Sequence, residues 1–179
     1  MNLKQYQQAA QRTSPDGHDK LLNGIFGLIG ESGEIVDTIK KQKFQGMPEE
    51  KALPRMTEEL GDVIWYVAEA CAGIGKSIAD LDAATQDDER CPHNIETCAV
   101  RLVGAACEAF TAINRLEVRD YAAIVAFRRL CKIWLLIHSL CDRMGVQPDT
   151  IMRENIKKLK RRYPEGFDAE RSNERYEQR

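Results

Sequence analysis

"GLIGESGEIVDTIKK" (residues 27–41) carries apolar residues at helical spacing, and two carboxylates, Glu31 and Glu34, lie three apart beside them. At about 100° per residue, Leu28, Ser32, Ile35, Val36 and Ile39 fall on one helix face, and the two acids lie together on its flank. "EELGDVIWYV" (58–67) repeats the arrangement. Its stripe is Met56, Leu60, Val63, Val67 and Ile74, its flank carries Glu59 and Asp62, and Tyr66 lies one turn on. Residues three apart on a helix are neighbours at about 5–6 Å. Two such helices packed antiparallel through their stripes would bring four carboxylates to one edge of the core. Four close anions repel unless a cation neutralises them, and hard oxygen ligands on rigid helices suit Mg²⁺, with Mn²⁺ as a substitute. Acidic pairs on helix flanks are ordinarily solvated surface. Two pairs on the same flank of consecutive helices, each beside glycine (Gly30 and Gly33, Gly61), weigh against that. A helical glycine costs about 1 kcal/mol relative to alanine, and a close helix approach or a ligand beside the backbone would account for it.

The rest of the chain reads as helix too. No segment sustains strand alternation, and the prolines (15, 48, 54, 92, 148 and 164) fall in connections. Helices are predicted near 2–12, 18–43, 54–79, 94–115, 119–144 and 148–161, which gives an all-α helical bundle of about six helices. At 179 residues, 43% hydrophobic and 30% charged, the chain has the composition of a globular protein with a real core. A net charge of −2 gives no overall attraction to nucleic acid or an acidic membrane. The most apolar window, "IWLLI" (133–137), is too short to span a bilayer. The N-terminus lacks the apolar run of a signal peptide, so a cytoplasmic location is expected. The six cysteines contain no CxxC pair and read as free thiols in a reducing compartment. Cys91, His93 and Cys98 have irregular spacing and no second half-site, a weak zinc signal.

These motifs resemble those of the MazG-like all-α nucleoside triphosphate pyrophosphohydrolases. The resemblance rests on ExxE in "GLIGESGE", ExxD in "EELGDVIWY", and "NIKKLKRRYPEGF" (155–167), where an Asn and basic residues precede Arg-Tyr-Pro. It covers residues 18–76 and 146–167. It implies that Glu31, Glu34, Glu59 and Asp62 bind Mg²⁺ and carry catalysis, and that an NTP or dNTP plus water gives the NMP and pyrophosphate. Triphosphate contacts would fall to Lys40, Lys41 or Lys43 and to Lys158 and Arg162, with Asn155 near the nucleotide and Tyr66 beside the acids. One carboxylate not fully engaged by metal would act as general base. Nucleotide-pool cleaning is the expected role, with dUTP, dCTP or a modified nucleotide as substrate and phosphoribosyl-ATP hydrolysis as a related reaction. The alternative is a non-catalytic helical nucleotide-binding or regulatory protein of the same fold. The basic run at 157–162 has no interleaved aromatics, so no stable nucleic-acid partner is expected.

The chain departs from this resemblance between residues 77 and 145. "GLIGESGEIVDTIKK" (27–41) lies over "RLVGAACEAFTAINR" (101–115) at an offset of 74, and "EELGDVIWYVAEACAGIG" (58–75) over "RRLCKIWLLIHSLCDRMG" (128–145) at an offset of 70. Glu34 corresponds to Glu108, but Glu31, Glu59 and Asp62 become Ala105, Arg129 and Lys132. Any two amphipathic helices align tolerably, so the overlay is an expectation: a pseudo-two-fold pair of hairpins from a degenerate internal duplication. Short members of the resembled family resemble dimers, and a fused second copy would supply the partner helices in cis; a homodimer stays open. The expected organisation is one all-α domain over 1–167, with a catalytic hairpin (18–79), a degenerate hairpin (94–145) and a closing helix with its Arg-Tyr-Pro motif (146–167). A polar tail (168–179) follows.

Overall fold

In the computed structural model, which describes residues 1–115 and 119–168, the chain is all-helical, with no strand among the described residues. The helices are α1 (Leu3–Ala10), α2 (Lys20–Phe44), α3 (Glu49–Gly73), α4 (Ile78–Thr85), α5 (Ile95–Ile113), α6 (Arg119–Met144) and α7 (Pro148–Arg162), with a 3-10 turn at Gln11–Thr13. All of the polar tail except Asp168 lies outside the described residues.

Local chemistry sets the helix ends. Asn2 and Gln5 form a reciprocal capping box on α1, and Asp19 caps α2 by accepting from the Leu22 N–H at 3.0 Å. Two boundaries differ from the sequence reading. Pro54 is not a connection but lies inside α3, whose N-cap is Pro48. A proline in a helix leaves the carbonyl four residues back without its donor. Here that residue is Glu50, in the first turn and exposed to solvent. The helix expected to run to 79 ends at Gly73 instead, and α4 follows as a separate element. Gly75 takes φ +67°, and Ser77 with Asp80 forms a second capping box; the Ser-x-x-Asp spacing was the available signal.

α2 and α3 pack antiparallel, and glycine makes the approach close. A Cβ on Gly24 would lie 2.6 Å from the Ala70 nitrogen, and one on Gly73 would lie 2.4 Å from the Leu21 nitrogen. One on Gly27 would strike the Tyr66 ring at 2.1 Å. Gly30 and Gly33, the glycines beside the ExxE acids, face open space instead. The buried faces follow the stripes read from sequence. Leu28, Ser32, Ile35 and Ile39 of α2 and Met56, Leu60, Val63 and Val67 of α3 are buried, while Val36 and Ile74 are half-buried.

α5 and α6 form a second hairpin, and α5 lies against α2. The rings of Phe26 and Phe110 are 5.5 Å apart, and Lys43 pairs with Glu96 at 2.7 Å. The first contact joins the beginning of α2 to the end of α5, and the second joins the end of α2 to the beginning of α5. These two helices are therefore antiparallel, with buried Ser32 and Ala105 near the midpoint. The trailing helices cross over: α4 packs on α6, and α7 packs on α3. The turns before them are alike. Gly75 and Gly145 have φ +67° and +66°. The Lys76 N–H donates to the Cys71 carbonyl at 2.8 Å, and the Val146 N–H to the Cys141 carbonyl at 3.0 Å. These are the glycine-terminated helix ends in which an amide beyond the cap satisfies a carbonyl of the last turn.

Candidate metal and nucleotide site

The antiparallel register sets Glu31 on α2 opposite Asp62 on α3, and Glu34 opposite Glu59. Carboxylate oxygens of Glu31, Glu59 and Asp62 lie within 4.8 Å of one another. Among the described residues this is the one group of three or more His, Cys, Asp or Glu so placed. Cys91, His93 and Cys98 form no such group. Three hard oxygen donors on two rigid helices fit a small divalent cation that keeps some of its waters. Burial and then the Asp62 carboxylate push Glu59 above its ordinary pKa, while Lys158 pulls the other way. Burial and anionic neighbours both favour the protonated form, and a cation would reverse that preference.

Glu34 stands apart from this group. Its carboxylate lies 3.6 Å from Arg55, which also approaches Glu59 at 3.9 Å. Arg55 sits one turn before Glu59 on α3, so a guanidinium occupies the edge where Glu34 faces the other acids.

Asp62 is held from the opposite side by α7. Asn155 donates its amide to one carboxylate oxygen at 2.9 Å, and Lys158 donates to the other at 2.5 Å. Both side chains are buried. The Asn155 carbonyl oxygen accepts from the Tyr6 hydroxyl at 2.9 Å, which directs the amide nitrogen toward Asp62. Burial, reinforced by Asp62, raises the Tyr6 pKa and keeps the hydroxyl protonated as a donor. α7 comes this close because α3 has glycine at the crossing: a Cβ on Gly61 would meet the Asn155 Cβ at 3.2 Å. Glu58 anchors the remaining cations, bonding Lys158 and Arg162 at 3.2 Å each.

The other sequence-predicted contacts lie elsewhere. Lys40 and Lys41 both pair with Asp37, which pulls its carboxyl down to about 2, and Lys43 pairs with Glu96 on α5. All three sit at the C-terminal end of α2, more than a turn beyond Glu34. Tyr66 is half-buried and lies over Gly27 on the Asp62 side of α3. Trp65 is buried, and its indole N–H donates to the Ala10 carbonyl at 3.1 Å and the Thr13 hydroxyl at 3.0 Å, fastening the N-terminal segment. The His18 ring bonds the buried Glu69 carboxylate at 2.6 Å in the same segment.

Three residues of this site escaped the sequence reading. Arg55 and Glu58 were legible in principle, each one turn before an acid of the ExxD pair. Tyr6 had no local signal, because its partner lies 149 residues away. Next to the Asp62 side, a cavity of about 550 Å³ opens between α3 and α7. Leu53, Ile151 and Val146 give it apolar walls, and Asn155, Lys158 and Arg161 also line it.

Comparison with known proteins meets this geometry on the same helices. The family model for the MazG nucleotide pyrophosphohydrolase domain matches residues 20–85, which span α2, α3 and α4. The Gene 37 protein of Mycobacterium phage L5 is 35% identical over 78 residues, covering 38% of this chain and 68% of the relative. No solved structure gives a significant match. With the acidic hairpin inside the matched segment and an all-helical architecture among the described residues, the chain belongs to the MazG nucleotide pyrophosphohydrolase family.

Proposed function

We propose that this protein is a Mg²⁺-dependent nucleoside triphosphate pyrophosphohydrolase that converts an NTP or dNTP to the NMP and pyrophosphate. The observation that carries the reading is the convergence of Glu31, Glu59 and Asp62 within 4.8 Å, on the hairpin that the family model matches. Glu34, one turn from Glu31, completes the proposed set once Arg55 swings aside. When bound, the metal supplies charge neutralisation and polarisation of the α-phosphate and of the attacking water. The chain's own groups do the rest. Asn155 and Lys158 fix Asp62, so that its carboxylate does not rotate when the cluster changes charge. Glu34, the acid outside the group of three, is the proposed general base. Arg55, Arg161 and Arg162 are the guanidinium groups nearest a polyphosphate; Arg55 and Arg162 must each leave a carboxylate to reach it. Lys40, Lys41 and Lys43 would take part only through a substrate extending along α2. The cavity between α3 and α7 has the volume of a small-molecule site; its apolar walls suit a nucleoside, and Lys158, Arg161 and Arg162 on its lining outnumber Glu58 and Glu154 where a proximal phosphate would lie.

The α5–α6–α7 segment is proposed as a degenerate copy of α2–α3–α4. The crossover of the trailing helices and the matching glycine turns support this. So does the contact of Glu108 with Arg129 at 3.1 Å and Lys132 at 3.2 Å, at the positions equivalent to Glu34, Glu59 and Asp62. In the second hairpin two cations stand where the first has two acids, so one metal site per chain is expected. The domain would be single, spanning 1–167, with the second copy's closing helix completing the first copy's site.

A second reading has one observation in its favour. Arg55 and Lys158 already neutralise part of the acidic cluster, much as Arg129 and Lys132 neutralise Glu108, which a non-catalytic nucleotide-binding protein could use. A panel of canonical and modified nucleotides with Mg²⁺ or Mn²⁺, followed by pyrophosphate release, separates the two. NMP and pyrophosphate in equal amounts are expected. Orthophosphate with NDP, or nucleotide binding without turnover across the panel, overturns the proposal.

A further inference from the structure

The connection between α4 and α5 holds two cysteines in a setting unlike that of the other four. Cys91 lies in the connection and is half-buried, and Cys98 lies in the first turns of α5 and is fully buried. One set of contacts, through His93, Arg101 and Arg143, gathers the two cysteines. Arg101, one turn beyond Cys98, donates to the Cys91 sulfur at 3.7 Å. The Cys98 thiol donates to the His93 carbonyl at 3.5 Å, which also accepts from Arg143 at 2.9 Å. The connection is strapped to α6 around these sulfurs. Ser139 accepts from the Cys91 N–H at 2.9 Å, Arg143 reaches the Cys91 carbonyl at 3.5 Å, and Arg90 grips both Asp142 oxygens at 2.6 and 2.5 Å.

We propose that Cys91 and Cys98 form a peroxide-reactive dithiol, with Cys91 the nucleophile and Cys98 the resolving thiol. The Cys91 thiolate attacks one oxygen of a hydroperoxide, the O–O bond breaks, and the sulfur becomes a sulfenic acid while hydroxide leaves and takes a proton. Cys98 gives its proton to solvent and attacks that sulfur. The S–O bond breaks, water leaves, and an S–S bond forms. Two thiols lose two electrons and hydrogen peroxide becomes two waters, so the step balances with no further reactant.

The division of roles follows from the surroundings. Burial opposes ionisation of Cys91, but the His93 backbone, the Cys98 thiol and the Arg101 guanidinium together bring it below an ordinary thiol. Burial pushes Cys98 up to about 11, so it stays protonated until it attacks. Cys71, Cys131 and Cys141 are also raised by burial. A thiolate beside a cation is the reactive species. Exposure alone would favour Cys107 instead, since it is the exposed thiol of the six, and this contrast makes the proposal decidable.

The test is peptide mapping of the full-length chain after treatment with equimolar hydrogen peroxide at neutral pH. A linked Cys91–Cys98 peptide, lighter by two hydrogens, should appear before any change at Cys107. Cys98→Ser should stop at a Cys91 sulfenic acid that dimedone captures, and Arg101→Gln should slow Cys91 oxidation about three- to tenfold. Modification of Cys107 first overturns the proposal, as does Cys91 reaching the sulfinic state in the unaltered chain without the linked peptide.

Discussion

Lys158→Met tests how the acidic site is held together before any metal arrives. The Lys158 side chain is 8% exposed, and its ammonium sits 2.5 Å from the carboxylate of Asp62, whose side chain is 19% exposed. Methionine keeps most of the buried stem and removes the charge. Deleting one partner of a buried ion pair costs about 3–5 kcal/mol because the other charge stays behind. Asp62 keeps its Asn155 hydrogen bond and some contact with water, so about 2–3 kcal/mol is the working figure. For a chain of this length that lowers the melting temperature by roughly 5–10 °C. The same change leaves the cluster more negative, so a divalent cation should bind more tightly and recover part of the loss. Thermal unfolding in EDTA and in excess Mg²⁺ measures both effects. A decrease below about 2 °C in EDTA would show that Lys158 contributes little to Asp62. A deficit equal in both conditions would show that no metal binds beside Asp62.

Glu31→Gln, Glu59→Gln and Asp62→Asn should each lower turnover by about a hundredfold or more; unchanged turnover in two of them refutes the site. Apo stability should hold or rise in the two glutamate variants as repulsion is relieved, and fall in Asp62→Asn, which leaves the buried Lys158 ammonium without its carboxylate. Glu34→Gln should reduce turnover with a smaller loss of Mn²⁺ affinity than the other three, which a metal titration checks. Gly24→Ala should destabilise by about 2 kcal/mol or more, because its Cβ meets Ala70 backbone, whereas Gly30→Ala, facing open space, should stabilise by up to about 1 kcal/mol; equal melting temperatures would contradict the packing. The combined change Ala105→Glu, Arg129→Glu and Lys132→Asp should raise bound Mn²⁺ from one ion to two per chain by titration. Glu108→Gln alone should leave turnover within about twofold, since surface ion pairs contribute little.

The helical fold was legible because α2, α3, α5 and α6 each carry a stripe long enough to outweigh local exceptions. The ExxE and ExxD spacing also put the acids on one flank of each helix, whereas the register between the helices was a supposition, since the short turn at 45–48 lies where the sequence reads as a longer connection ending at Pro54. Boundaries were less legible. Pro54 reads as a breaker, yet it costs little where the freed carbonyl is exposed, and the stop at Gly73 depends on a cap at Ser77. Of the glycines beside the acids, Gly61 does admit a close helix, α7, whereas Gly30 and Gly33 face open space and the α2–α3 approach is made at Gly24, Gly27 and Gly73. Helical glycines look alike in sequence, and only the partner helix distinguishes them. The pairing of Arg55 with Glu34 and the Tyr6–Asn155–Asp62 relay depend on tertiary placement that no periodicity encodes.

The crossover of α7 onto α3 also sets the order in which the acidic site can be completed during synthesis. Asp62 meets Lys158 across 96 residues and Tyr6 meets Asn155 across 149. A nascent chain that has just released α2 and α3 from the ribosome therefore has its acids but neither the ammonium nor the amide that steadies them. The N-terminal segment likewise waits for its last contact until α7 is made. Contacts this distant in sequence slow the final folding step, because a long loop must close before they form. The site is thus assembled last, and a chain truncated before α7 would leave Asp62 without its buried partners.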